Sequence, residues 1–434
     1  QDVYLTGNPQ VTFFKVVYRR HTNFSMESIL QVWDGGAENY PTSNICTIQR
    51  NGDLIHKMWI EFVGGETAAF GDQEELIQQQ KPYIENPGTW WIKSVELEIG
   101  GQKIDKHSRE WLETYYSLTQ SNPTGSTLNI ATQAFDNSFT LTNYGTLFQL
   151  TTGSAGFSLL YDNTVDPSSK NSSQKWIQNN RLYIPLQFWF CQNPGLALPL
   201  IALQHHEVKI KLENRFAEMF RAGDISDSHY NLWVDYIFLD TDERRRFSQL
   251  SHEYLIEQVQ ENVVTDLVKG EELNFNHPVK ELIWISKDFE TGGDLHKSNN
   301  KRLYGNYSLR FNGKDRFSPR DISYFTRVQI LDHHTGVGGL NSNRLNKSCF
   351  NDSIAVYSFA LKPEDHQPSG SCNFSRLDHV ELSCSESVYP IQYQCSVLKK
   401  DGIDRYGTRR AKVFAVNYNV LRIMSGMGGL AYAN

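Results

Sequence analysis

Short runs of alternating apolar and polar residues recur along the chain, each closed by turn residues. Val95, Leu97 and Ile99 alternate with polar neighbours and run into Gly100-Gly101. Tyr307, Leu309 and Phe311 do the same and run into Asn312-Gly313. A period of two with one apolar face predicts a half-buried strand, and these dipeptides supply the positive φ of a tight hairpin. Met58, Ile60 and Phe62 follow the hairpin signal Asn51-Gly52, and Val208, Ile210 and Leu212 alternate with Lys209 and Lys211. Residues 181–190 read as an aromatic strand that Pro185 assigns to a sheet edge or bulge. Further strands are expected at 282–285, 309–311, 328–331, 355–361, 380–382 and 413–423, and an edge strand at 11–18. This is the pattern of an all-β protein.

The order of these devices repeats. After the first glycine turn, Ser108 is placed to cap a helix carrying Trp111, Tyr115 and Tyr116. After the second, Ser318 and then Pro319 predict a helix start before Tyr324 and Phe325. Residues 234–239 (VDYIFL) have a counterpart in 416–421 (VNYNVL), so each half is expected to end on the same kind of strand. Between the halves lies WVDYIFLDTDERRRFSQLSHEYLIEQ, in which a charged break, Asp240 to Arg246, separates two apolar runs. The division implied is 1–240 as a first domain, 241–252 as a linker and 253–434 as a second domain. The distance from the glycine turn to the last strand is 234 − 101 = 133 in the first half and 416 − 313 = 103 in the second. The first half therefore holds an insert, placed at 121–174, where Ser, Thr, Asn and Gly dominate and Phe139, Leu141, Phe148 and Leu150 are scattered. Such a stretch is expected to be a long outer loop burying little of the core. The closing segment, Met424 to Asn434, is small and uncharged and suits docking in a groove or against a neighbour.

A chain of 434 residues fits two domains of roughly 200 residues each. Aromatic residues make up 12%, which supports strands. The net charge of −7 argues against direct nucleic-acid binding, because phosphate affinity needs clustered positive charge. Arg244-Arg245-Arg246 is too short and too mixed with Asp240, Asp242 and Glu243 to change that. No apolar stretch is long enough to span a bilayer. No secretory signal stands at Gln1, and the missing initiator Met reads as processing or truncation. The six cysteines, at 46, 191, 349, 372, 384 and 395, contain no CxxC pair, so zinc is not expected and reduced thiols are, with a disulfide among the last four left open.

Candidate chemistry is sparse. His205-His206-Glu207 and Asp332-His333-His334 place adjacent histidines on opposite faces of a strand, so each set reads as surface or strand-edge residues and not as a metal site. The paired glycines are not followed by Lys-Ser or Lys-Thr, and no G-x-S-x-G elbow occurs. No catalytic residue, metal ligand or cofactor is assigned, and the chain is expected not to be an enzyme. Six Asn-x-Ser/Thr triplets are candidate glycan acceptors: Asn23, Asn171, Asn306, Asn346, Asn351 and Asn373.

Several longer blocks are specific. NPQVTFFKVVYRRHTNF, VELEIGGQKIDKHS, NPGLALPLIALQHHEVK, WVDYIFLDTDERRRF, QPSGSCNFSRLD and NYNVLRIMSGMGGLAYAN closely resemble the major capsid proteins of nucleocytoplasmic large DNA viruses, those of algal viruses most of all. The resemblance spans both halves and implies two tandem eight-stranded antiparallel jelly rolls. It also implies a homotrimer of pseudo-hexagonal outline that tiles an icosahedral shell beside neighbouring capsomers and minor capsid proteins. The virion capsid, assembled in the cytoplasm of an infected host cell with an inner viral membrane beneath the shell, would be its location. A jelly-roll carbohydrate-binding protein is the alternative, but it leaves the matched blocks in both halves unexplained.

Overall fold

The computed structural model describes residues 23–34, 41–64, 86–120, 147–155, 181–219, 228–286, 303, 305–336, 338–339, 352–385 and 411–432. The first half contains β1 (Phe24–Gln31), β2 (Ser43–Thr47), β3 (Leu54–Val63), β4 (Ile92–Ile99), β5 (Gln102–Ser108), α1 (Arg109–Thr119), α2 (Leu147–Thr152), β6 (Arg181–Pro185), β7 (Val208–Asn214) and β8 (His229–Leu239). Helix α3 (Thr241–Gln249) follows. The second half contains β9 (His252–Val264), β10 (Glu271–Glu272), β11 (Pro278–Ser286), β12 (Asn306–Phe311), β13 (Lys314–Asp315), a π-helical turn (Tyr324–Val328) running into α4 (Gln329–His333), β14 (Ile354–Ser358), β15 (Val380–Ser385), β16 (Ala411–Met424) and β17 (Met427–Leu430).

The four sheets have the orders β1-β8-β3-β6, β2-β7-β4-β5, β9-β16-β11-β14 and β10-β15-β12-β13, with antiparallel pairing throughout. Adding eight to each strand number in the first two orders yields the last two. The chain is thus two eight-stranded jelly rolls in tandem, each closing two sheets on one core. In the first, Ile60, Phe62, Leu232 and Val234 from one sheet meet Val95, Leu97, Ile210 and Leu212 from the other. In the second, Trp284 packs against Tyr307 and Phe325 across the equivalent space.

The two glycine turns are as expected. Gly100 and Gly101 have φ of 58° and 83° between β4 and β5, and Asn312 and Gly313 have 50° and 77° between β12 and β13. Ser108 caps α1 by accepting from the Trp111 amide at 3.3 Å. Among the described residues strand β6 pairs only with β3, which keeps Pro185 at an edge.

Other expectations give way to tertiary context. The strand read over 181–190 ends at Pro185, and Trp189–Gln192 form a helical turn. Asn51-Gly52 joins strands of different sheets and so is not a hairpin. The helix expected after Ser318 begins only at Tyr324, because Arg320-Asp321 first pairs with β12; the strand expected at 328–331 is that helix. The charged segment 241–252, expected as the linker, holds α3. Asp240 caps it, Asp242 and Glu243 lie in its first turn and Arg246 in its last, a charge order that suits the helix dipole. Residues 234–239 and 416–421 do lie in equivalent last strands, but out of phase. Val234 faces its own core, whereas Val416 faces away from its own. The slip of one residue exchanges the faces.

The insert also departs from a pure outer loop. Residues 147–155 pack inward: Thr152 and Ser154 are fully buried, and Phe148 meets Tyr116 edge-on at 5.1 Å. Gly88 donates to Gly153 O at 3.0 Å, and a Cβ on Gly88 would lie 1.7 Å from Thr152 O. The rest of 121–174, the expected edge strand at 11–18, Cys349 and Cys395 lie outside the described residues. Among the described residues Cys46, Cys191 and Cys372 are free thiols, and no helix is long and apolar enough to cross a membrane. The closing segment, expected to dock in a groove or on a neighbour, turns back at Ser425-Gly426 so that β17 pairs with β16.

Candidate functional site

The chemistry-bearing side chains gather where the two jelly rolls meet. Helix α1 has two apolar faces. Leu112 and Tyr116 point into the first core, while Trp111, Tyr115 and Leu118 lie on the outer face of the second roll's β9-β16-β11-β14 sheet. There Ile283, Ile285, Ile354, Val356, Phe414 and Val416 complete a separate core, with Trp111 and Phe414 centred 5.4 Å apart. The long β9-β16 pair overshoots its own roll, so that Ile256, Leu421 and Ile423 join the first core. Backbone and side-chain bonds stitch the same region. Val259 N donates to Asp105 Oδ1 at 3.1 Å, and His205 N donates to Gly426 O at 2.9 Å. Gly336 N and Gly338 N donate to Leu118 O and Ser117 O at the end of α1.

Two charge clusters sit in this seam, each centred on a buried cation. Lys412 Nζ lies 3.2 Å from Glu110 Oε2 and 3.0 Å from Glu261 Oε2, and donates to Ser108 Oγ at 3.2 Å. Burial would lower the Lys412 pKa, but the two carboxylates outweigh it and the ammonium is held above its ordinary range. The second cluster centres on His334, whose side chain is 2% exposed. Its Nε2 is 3.0 Å from Glu281 Oε2 and its Nδ1 is 3.0 Å from Glu364 Oε1. Burial pushes the imidazole down, yet Glu281 and Glu364 raise it to about 9. Burial likewise pushes Glu281 up, and the charge of His334 brings it below the usual carboxylate range. Thr335 ties the same turn across the seam, its Oγ1 lying 2.9 Å from both Thr119 O and Glu364 Oε2.

The sequence pattern predicts His334 as a surface or strand-edge residue. It is instead at the end of α4, turned inward between carboxylates that are 53 residues before and 30 after it (334 − 281 = 53; 364 − 334 = 30). No local pattern announces such a contact. His205 and His206 carry the tail turn, His206 Nδ1 lying 3.0 Å from Gly428 O. The seam cavity beside His334, Glu257 and Lys280 measures about 30 Å³. That is room for a water molecule or two and far below the roughly 300–1,000 Å³ of a ligand pocket. Of the six glycosylation candidates, Asn23, Asn306 and Asn373 are exposed; Asn171, Asn346 and Asn351 lie outside the described residues.

Tandem jelly rolls fused through a packed, charged seam are the arrangement of a building block. Comparison with known proteins agrees. Residues 12–240 match the family model for the major capsid protein N-terminus, and residues 243–429 match that for the large eukaryotic DNA virus major capsid protein. The chain belongs to this capsid protein family. It is 44% identical to the major capsid protein of Pyramimonas orientalis virus, over 100% of this chain and 97% of that one. It is 36% identical to that of Paramecium bursaria Chlorella virus 1, over the same shares. A chain of the quasi-atomic PBCV-1 virus capsid superposes with a TM-score of 0.68 at 34% identity, covering 98% of this chain and all of that one. The Faustovirus major capsid protein shares the fold at a TM-score of 0.60 and 10% identity, over 98% and 94% of the two chains. This capsid protein is therefore a structural component of the virion and not an enzyme, and the seam is the internal joint of that component. The carbohydrate-binding alternative is set aside by the same matches.

Proposed function

We propose that three copies of this capsid protein form a trimer of pseudo-hexagonal outline that tiles an icosahedral shell. The observation that carries this reading is the duplication itself. Two rolls of equal strand order in one chain let three chains occupy six corners, so that a six-cornered lattice position is filled without six identical subunits. Neighbouring capsomers and minor capsid proteins are the partners, without direct contact to nucleic acid. Assembly takes place in the cytoplasm of the infected cell, with an inner viral membrane beneath the shell. We take 1–240 and 253–434 as the two domains, joined by 241–252. Asn23, Asn306 and Asn373 are proposed as glycan acceptors on the ground of their exposure, and Asn171, Asn346 and Asn351 on sequence alone.

Mass photometry and negative-stain electron microscopy of the purified chain test the assembly. Trimers with a six-cornered outline are expected; a monomer at micromolar concentration refutes the reading. Intact mass before and after endoglycosidase treatment, from material made in a glycosylating host, tests the acceptors.

A further inference from the structure

The chain holds two Asn-Gly dipeptides, Asn51-Gly52 and Asn312-Gly313, and the fold treats them in opposite ways. Such a dipeptide carries a chemistry of its own. The glycine amide nitrogen can attack the asparagine Cγ and close a cyclic imide, and no β-carbon stands in the way of the approach. Both asparagines are exposed, so access to water does not separate them. Their hydrogen bonds do. Asn312 turns the β12–β13 hairpin at a φ of 50°, and its Oδ1 accepts from Asp378 N at 3.1 Å and from His379 N at 3.0 Å. Its own N donates to His379 O at 2.8 Å. The carboxamide cannot rotate toward Gly313 N without giving up both side-chain bonds.

Asn51 is free to turn. Among the described residues, neither its side chain nor the Gly52 amide makes a hydrogen bond. The residues on either side are held firmly. Gln49 O accepts from Tyr236 Oη at 2.6 Å, and Arg50 donates to Leu203 O and His206 O. Asp53 accepts from Arg244 Nε at 2.8 Å and from Leu239 N at 2.9 Å, and its backbone bonds to Ile237 O and Ile201 N at 3.1 Å each. An unheld Asn-Gly pair is thus strung between two fixed posts.

We propose that Asn51 is a self-modification site of the folded protein: it turns spontaneously into aspartate and isoaspartate, while Asn312 is preserved. Gly52 N forms a bond to Asn51 Cγ, the Cγ–Nδ2 bond breaks, and Nδ2 leaves as ammonia with the Gly52 amide proton. Water then opens the imide at either carbonyl. One opening gives aspartate; the other routes the main chain through the former side chain and gives isoaspartate, with an extra main-chain carbon. Either product adds a negative charge next to Asp53. The consequence falls on the joint between the rolls. The loop has no slack, since a Cβ on Gly52 would already lie 2.7 Å from Tyr236 Cβ. The added carbon therefore strains the Asp53–Arg244 contact, which holds the first turns of α3. No residue of α3 is fully buried, so losing that contact loosens a helix that carries Arg244-Arg245-Arg246.

Purified full-length protein, one sample folded at mildly alkaline pH and one unfolded in urea, is incubated in parallel until the unfolded chain has converted at both sites. Peptide mass mapping reads each site, and isoaspartate methyltransferase marks the isoaspartate product. In urea the two sites should convert at similar rates, because only chain neighbours remain. In the folded protein Asn51 should convert about 10-fold or more faster than Asn312, whose two bonds must open first. Aged wild type should be cut by trypsin at Arg244 to Arg246 sooner than fresh protein, as a loosened helix is. Asn51→Gln, whose longer side chain closes the imide slowly, should show no such change with age. Asn51 that stays an amide in the folded protein, or Asn312 that converts as fast, overturns the proposed site. Conversion at Asn51 with unchanged trypsin cleavage overturns its effect on α3.

Discussion

The His334 clamp makes a pH-dependent prediction whose size follows from the structure. The imidazole lies between Glu281 and Glu364, with Lys280, His333, Glu257 and Tyr115 as the other titratable groups around it. Its pKa is about 9 in the folded protein against an ordinary 6.5. A group whose folded pKa is raised contributes stability that is fully present below its unfolded pKa and is lost as pH rises through the folded one. The rise from 6.5 to about 9 corresponds to about 3 kcal/mol, and at 2% side-chain exposure little of it is screened by solvent. The clamp is therefore fully engaged below pH 6.5, weakens between 6.5 and 9, and is gone above 9. Glu281 does not confuse this window, since its depressed pKa matters only in acid. Urea unfolding of wild type and His334→Gln, followed by tryptophan fluorescence at fixed protein concentration from pH 6 to pH 10, measures it. The stability gap between the two should shrink by about 3 kcal/mol across that range. Other groups that titrate near pH 9 to 10 cancel in the difference. A gap that stays constant with pH would mean that His334 is neutral in the seam and that the ion pairs described here do not form.

Lys412→Met should cost about 3–5 kcal/mol by leaving Glu110 buried without its cation, and adding Glu110→Gln should recover most of it in the same urea assay. Gly101→Val and Gly313→Val should each cost about 1–3 kcal/mol and by similar amounts, because a Cβ at either site meets no atom within 4 Å and only the positive φ opposes it. Gly100→Ala should cost more than Gly101→Ala, since its Cβ would fall 2.2 Å from the His206 ring, and calorimetric melting of both variants decides this. Replacing 122–145 with a short Gly/Ser linker should leave a folded chain, as loop closure depends weakly on length. Extending the deletion through 147–155 should not, because it removes buried Thr152 and Ser154, and size-exclusion chromatography separates the two outcomes.

What the sequence determined by itself is what depends on near neighbours. Alternation at Val208, Ile210 and Leu212 sets a strand and its buried face, and glycine at 101 and 313 sets two hairpins through backbone sterics alone. The repetition of these devices in one order is enough to read a duplicated β-fold, and the long matched blocks are enough to read the family. Where the reading failed, a distant partner decided. Residues 416–421 resemble 234–239, but α1 lies over the second sheet, so Val416 faces a helix and Val234 faces a core. Residues 147–155 look like loop until Gly88 and Tyr116 are brought beside them. Asp332-His333-His334 reads as a polar edge because neither Glu281 nor Glu364 is near it in sequence; only the packing of α4 on β14 brings the imidazole between them and gives it a charge to hold. Registers, seams and buried ion pairs belong to contacts between distant segments, and those exist only once both rolls have closed.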